Sequence, residues 1–276
     1  MKKLITLLMV VSMSVMLLAG CGVKNTAGSA DVKSIKKDAT LAAMLPANLK
    51  TAGKILVGVD DSYPPMEFRD DSNNLVGFDK DLGDAIGKKL GVTMEWVPTK
   101  WDGILLALES SRFDMLLSSL SDTPDREKEI LFSKPYIQGG PVLVVKKGTK
   151  GITTGADLSG KIVGVQTGTT GDDAVRAMAG VKEVKGYDKI TDALMDLAIG
   201  RTDVVVADDQ VGTYYVGLDS TKYEVVGKLA AEPFGIGFKK ADTKLRDAVQ
   251  GAIDSLKKDG VLTTISMKWF KADYYK

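Results

Sequence analysis

"KIVGVQTGTTGDDAVRAMAG", residues 161–180, decides the fold. Lys161–Gln166 is a short apolar run of strand character. Thr167–Thr170 follow as hydroxyls around a glycine, and the stretch to Gly180 reads as a helix. A strand, a polar turn and a helix make one βα unit. No lysine follows the glycines, so this is not the Walker phosphate loop that the turn superficially suggests.

Outward from this stretch the same unit recurs. On the N-terminal side, "KILVGVD" (54–60) is a strand and "GFDKDLGDAIGKKLG" (77–91) a helix. Phe78, Leu82, Ile86 and Leu90 stand at helical spacing there, and Gly91 stops the helix. "VTMEWV" (92–97) is a strand, "WDGILLALESS" (101–111) a helix and "FDMLLSS" (113–119) a strand. The pattern restarts after "PVLVVKKG" (141–148). On the C-terminal side come "EVKGY" (183–187), "DKITDALMDLAIG" (188–200) and "DVVVAD" (203–208) as strand, helix and strand. Such alternation predicts parallel sheets covered by helices. Asp102 opens a helix leading to Arg112, Asp114 and a strand, and Asp192 opens one leading to Arg201, Asp203 and a strand. The echo predicts two similar lobes, and the length suffices for two cores.

Ligands of open α/β sheets bind outside the carboxyl ends of the strands. Asp60, Asp61, Ser62 and Tyr63 stand at the first such end, and Ser118, Ser119 and Ser121 at the second. Gln166, Thr167, Thr169 and Thr170 stand at the third, and Asp208 and Asp209 at the fourth. Each has an ordinary reading as well. Ser and Thr at such positions are common helix N-caps. Arg126 can pair with glutamates on its own helix. Asp60 either caps the turn into "SYPP" or faces a bound cation.

Composition removes several classes of function. The chain has no histidine, which removes the commonest general base and the Ser-His-Asp triad. Its single cysteine, Cys21, allows no intrachain disulfide. The 37 basic residues balance 36 acidic ones, with no basic cluster of the kind nucleic-acid binding needs. No metal or cofactor is expected.

The N-terminus has its own logic. "MKK" precedes an apolar run, and "LAGC" (18–21) places small residues before Cys21. The segment resembles the signal peptide and lipobox of bacterial lipoproteins. Residues 1–20 are then a cleaved leader, and Cys21 carries lipid. The apolar run is short for a membrane span. Residues 21–49 are expected to be a tether with a reach of about 30 Å if flexible. "LAAMLPANL" within it docks as a short helix or stays disordered.

"VGVDDSYPPMEF", "LVGFDKDLGDAIGKKLG", "SSLSDTPDREKEILFSKPY", "DLSGKIVGVQTGTTGDDA" and "GRTDVVVADD" occur in this order between Lys54 and Phe270. Together they resemble the type II periplasmic-binding-protein fold, and within it the polar amino-acid binding proteins of ABC importers, solute-binding family 3. The resemblance implies an α/β protein of two lobes, each a mostly parallel sheet flanked by helices, joined by a two-strand hinge. Lobe 1 is expected from residues 50–138 and 235–276, and lobe 2 from 139–234. The crossings fall near "YIQGGPVLVV" and "EPFGIGF".

The resemblance also implies roles. Arg126 clamps the ligand's α-carboxylate, helped by peptide nitrogens of Ser121 and Thr170, with Thr169 beside them. The chemistry agrees, because a guanidinium fork matches a carboxylate. Asp208 takes the α-ammonium, with Ser119 and Ser121. Tyr63 and Trp101 sandwich the side chain, whose tip Asp60 and Ser118 reach. Gly171 and Ser121 stand where many members carry a side chain and a Thr. The expected function is a lipid-anchored, monomeric, extracytoplasmic receptor that delivers an amino acid to an ABC permease. Aromatic faces and a carboxylate favour arginine or lysine, with glutamine next. An enzyme similar to cyclohexadienyl dehydratase, with Asp208 or Glu67 as acid, and a ligand-sensing domain are the alternatives.

Overall fold

The computed structural model describes residues 34–276. The leader, Cys21 and the first part of the tether lie outside the described residues.

From Asp38 onward the expected tether is instead part of the folded body. The Asp38 carboxylate accepts from the backbone N–H groups of Thr40 and Leu41 at 2.9 and 3.1 Å and caps helix Ala39–Met44. A second helix, Ala47–Ala52, ends at Gly53 in the left-handed conformation. Leu45 and Leu49 are buried in the core, and Leu41 packs against it beside Gly251. These leucines recur every four residues, which is enough to make one apolar face in a polar stretch.

The rest divides between two five-stranded sheets. The first has the order 93–98, 54–59, 115–116, 237–239, 130–132, and the second 183–187, 162–166, 204–208, 141–146, 223–228. In each, the three strands of the predicted βα units run parallel. In each sheet the strand that enters from a crossing, 141–146 or 237–239, runs antiparallel to the rest, and the last strand, 223–228 or 130–132, pairs antiparallel with it. No helix stands between the crossing and 141–146 or 237–239 to turn them parallel. Two crossing strands, Ile137–Gly139 and Glu232–Phe234, pair antiparallel and link the lobes. Gly140 (φ +117°) sits at the crossing, where a Cβ would lie 2.5 Å from the Ala230 carbonyl oxygen.

The helices cover the sheets through the apolar faces that the sequence shows. Helix Phe78–Leu90 buries Phe78, Leu82, Ile86 and Leu90. Helix Ile190–Ala198 buries Ile190, Ala193, Leu194 and Leu197. The C-terminal helices Thr243–Lys258 and Val261–Phe270 pack on the first lobe. The strand predicted over 113–119 is shorter, Met115–Leu116. It stops because Ser118 turns its hydroxyl to other partners and Ser119 adopts φ +48°.

Candidate functional site

The carboxyl ends of the parallel strands meet at a cleft between the lobes. In lobe 1, Val59 leads into Asp60 and Tyr63, and Leu116 leads into Ser118, Ser119 and Ser121. Thr123 then caps helix Pro124–Glu129, its Oγ1 accepting from the Arg126 N–H at 3.3 Å. That cap turns Arg126 back under its helix, where Nη1 donates to the Ser121 carbonyl at 3.0 Å. The guanidinium lies 5.6 Å from the centre of the Trp101 ring. Burial draws the Arg126 pKa down, while Glu232 and Asp208 counteract the shift.

In lobe 2, strand Ile162–Gln166 delivers Gln166, and Thr169 caps helix Thr170–Arg176 by accepting from the Asp172 N–H at 3.1 Å. Gly171 is buried there. A Cβ on it would come within 2.8 Å of Val206, so the helix could not seat a side chain at this position without shifting. Strand Val204–Asp208 carries Asp208 to the same edge.

The lobes are closed on each other. Tyr63 Oη donates to Asp208 Oδ2 at 2.8 Å, and the Asp208 N–H donates to the same phenol at 3.3 Å. Trp101 Nε1 donates to the Gly168 carbonyl at 3.0 Å. Gln166 Nε2 donates to Asp60 Oδ2 at 2.6 Å. Lys100 and Asp188 pair at 2.6 Å near the rim. That pair is exposed and adds little.

A small cavity lies between these contacts, lined by Tyr63, Glu67, Trp101, Ser118, Ser119, Ser121, Arg126, Gln166, Thr169, Thr170 and Asp208. Every residue expected at the site lines it except Asp60. Asp60 is buried with both oxygens engaged. Oδ1 accepts from the Ser62 N–H and hydroxyl at 3.1 and 2.6 Å, and Oδ2 from Gln166. It caps the turn into "SYPP", the ordinary one of its two readings, and stands behind the wall. Gln166 and Glu67 face the cavity in its place. Gln166 is legible at a strand end. Glu67 belongs to a three-residue strand, Glu67–Arg69, too short to leave a periodic signal.

Electrostatically the cavity has one cation and two acidic groups. Burial pushes the Asp208 carboxyl up to about 7, Glu232 adds to the rise, and Tyr63 and Arg126 oppose it. Burial also raises Glu67 well above the carboxylate range. Thr170 Oγ1 donates to Glu232 Oε2 at 2.7 Å, an acidic neighbour that the sequence did not single out. Among the described residues no cluster of His, Cys, Asp and Glu is arranged to hold a metal ion.

Two sheets of this topology, closed over a cavity that joins a guanidinium on one lobe to a carboxylate on the other, define a two-lobed periplasmic binding protein. The chain belongs to the bacterial extracellular solute-binding proteins, family 3, whose pattern matches residues 55–272. It is 34% identical over 266 residues to the L-cystine-binding protein TcyJ of Escherichia coli strain K12, covering 96% of this chain and 95% of that protein. It is 34% identical over 232 residues to an L-arginine-binding protein of Pseudomonas aeruginosa, covering 80% and 89%. Among solved structures, an ABC uptake transporter substrate-binding protein from Streptococcus pneumoniae with bound histidine superposes with a TM-score of 0.78 at 33% identity. That match covers 83% of this chain and 96% of the other. The chain is a binding protein of the amino-acid transport class and not an enzyme.

Proposed function

We propose that this protein captures a basic L-amino acid between its lobes and hands it to an ABC importer. One observation carries the reading: Arg126 and Asp208, on opposite lobes, line the same cavity. A buried guanidinium and a buried carboxylate facing one space are complementary to an α-carboxylate and an α-ammonium. Ser119 and Ser121 add polar atoms at the same wall. Neither lobe alone holds both ends of a zwitterion, so the ligand favours the closed arrangement by its differential contacts. The crossings around Gly139, Gly140, Gly235 and Gly237 absorb the movement, with lobe 1 from 50–138 and 235–276 and lobe 2 from 139–234.

The preference for arginine or lysine, with glutamine next, rests on the far wall. Glu67 and Ser118 stand there with the faces of Tyr63 and Trp101, and Asp60 lies one hydrogen bond behind, through Gln166. Cations gain about 0.5–2 kcal/mol over aromatic faces. L-Cystine is the second reading. A cystine-binding relative spans 96% of this chain, and the second α-ammonium of cystine presents a cation to the same wall.

Cys21 carries lipid and holds the protein at the outer face of a membrane as a monomer, the leader 1–20 having been removed. Fatty-acid labelling of wild type and Cys21→Ala tests the anchor. Competition calorimetry with arginine, lysine, glutamine, cystine and glutamate tests the ligand. Arginine or lysine is expected to displace glutamate by orders of magnitude, and tight glutamate binding would overturn the reading.

A further inference from the structure

At the cavity wall Glu67 stands against a second carboxyl group, Asp79, that the binding scheme leaves unused. Glu67 and Asp79 are each 0% exposed. Glu67 comes from strand Glu67–Arg69, and Asp79 from the first turn of helix Phe78–Leu90. Gly77 allows the helix to start this close. The Asp79 N–H donates to the Met66 carbonyl at 2.8 Å, which brings the two acids side by side.

Their hydrogen bonds divide unequally. Ser118 Oγ donates to Glu67 Oε1 at 2.8 Å. The Ser119 N–H and the Tyr136 hydroxyl both donate to Asp79 Oδ2 at 2.8 Å. One oxygen of each acid, Glu67 Oε2 and Asp79 Oδ1, has no donor from any other residue. The backbone bond from Asp79 to Met66 sets these two fully buried acids against each other, with both donorless oxygens shut away from water. Two carboxylates can meet in that way only with a proton between them. The groups that act on the pair, Asp60, Tyr63, Tyr136 and Tyr275, are acidic or phenolic, and among the described residues no ion pair reaches either acid.

We propose that Glu67 and Asp79 share one proton, and that Asp79 is the positioning residue that sets the charge Glu67 shows to the ligand's side chain. In this arrangement Glu67 donates to Asp79 Oδ1, and Asp79 remains the anion because it already accepts two other hydrogen bonds. Burial, followed by the Asp79 charge, raises Glu67 well above the carboxylate range, and burial raises Asp79 as well. Asp79 also holds Ser119 at φ +48° on the cavity wall and reaches Tyr136, next to the crossing strand Ile137–Gly139. One carboxylate therefore ties the cavity wall to the hinge.

The substitution that isolates the effect is Asp79→Asn. An asparagine oxygen can keep the Ser119 and Tyr136 bonds while its NH₂ donates to Glu67 Oε2. Both Glu67 oxygens then accept, and the proton has no place between the two side chains. Glu67 is driven toward the carboxylate.

Two measurements on the whole protein test this. Infrared difference spectra, wild type minus variant at the same neutral pH, are expected to show the loss of a protonated-carboxyl band in both Glu67→Gln and Asp79→Asn, the Asp208 contribution cancelling. Absence of that loss in either variant overturns the proposal. Calorimetry with arginine and with citrulline, its neutral isostere, reads the charge. The arginine preference should rise about tenfold in Asp79→Asn, because an ionic hydrogen bond is about twice as strong as a neutral one. An unchanged or smaller preference overturns the role of Asp79. The second measurement rests on the amino-acid-binding reading. If neither compound binds the wild type, that reading fails, and the infrared comparison alone decides the shared proton.

Discussion

Tyr63 Oη and Asp208 Oδ2 meet at 2.8 Å across the cleft, although 145 residues separate them in the chain. Each comes from the carboxyl end of a parallel strand, one per lobe. Their bond both closes the lobes and aims the carboxylate that is to receive an ammonium. Tyr63→Phe should weaken ligand binding by about 1–3 kcal/mol, the cost of leaving a buried acceptor short of a donor. Small-angle scattering of the liganded variant should show a less compact particle than wild type. Unchanged affinity and size would reduce the hydroxyl to a bystander.

Arg126 is held by Ser121 and Thr123 from its own segment, so its removal should leave the backbone intact. Arg126→Ala should cost about 2–5 kcal/mol of binding, because the ligand carboxylate then enters a buried site unpaired. Calorimetry beside a thermal melt separates the outcomes. A folded variant with wild-type affinity would remove Arg126 from the clamp.

Binding should depend on pH through Asp208. Burial raises its carboxyl to about 7, whereas an ammonium against it stabilises the carboxylate and draws the pKa down. Below pH 7 the site must release a proton to bind, so affinity falls there by up to about tenfold per pH unit and levels off above. The same raised pKa makes Asp208 reduce the stability of the unliganded fold as pH climbs from 3.8 toward about 7. Titrations across this range in buffers of different ionisation enthalpy measure the released proton. Asp208→Asn should bind more weakly and lose that part of the slope.

Gly77 has φ +137°, and a Cβ on it would lie 2.1 Å from the Met66 carbonyl oxygen. Gly77→Ala should lower stability to urea by at least about 1–3 kcal/mol, since both the dihedral and the contact oppose it. Unaltered stability would mean that the start of helix Phe78–Leu90 can move away from Glu67.

Leu45 is 3% exposed in the core of lobe 1. Leu45→Ala should destabilise the protein by about 2–5 kcal/mol. A free tether at this position would make the same change silent in a urea titration.

Much of the site is legible along the chain because it follows a topological rule. Once 161–180 reads as strand, turn and helix, the residues just after each parallel strand are the ones a ligand meets. Tyr63, Trp101, Ser118, Ser119, Ser121, Arg126, Thr169, Thr170 and Asp208 are found in that way or by family resemblance, and all line the cavity. Asp60 shows the limit of the rule. Its position is right, but direction depends on which donors arrive, and Ser62 and Gln166 claim both its oxygens.

The sequence by itself determined the two βα halves, the missing histidines and the strand ends that carry polar groups, because periodicity and composition are local properties. The tertiary structure alone decided which acid faces the ligand space, that "LAAMLPANL" takes the docked helical reading rather than the disordered one, and that Glu67 lies against Asp79. Those outcomes depend on contacts between distant segments. Glu67 and Asp79 are twelve residues apart on different elements, and only the close start of the helix at Gly77 brings the two carboxyls together, where burial leaves no room for two charges.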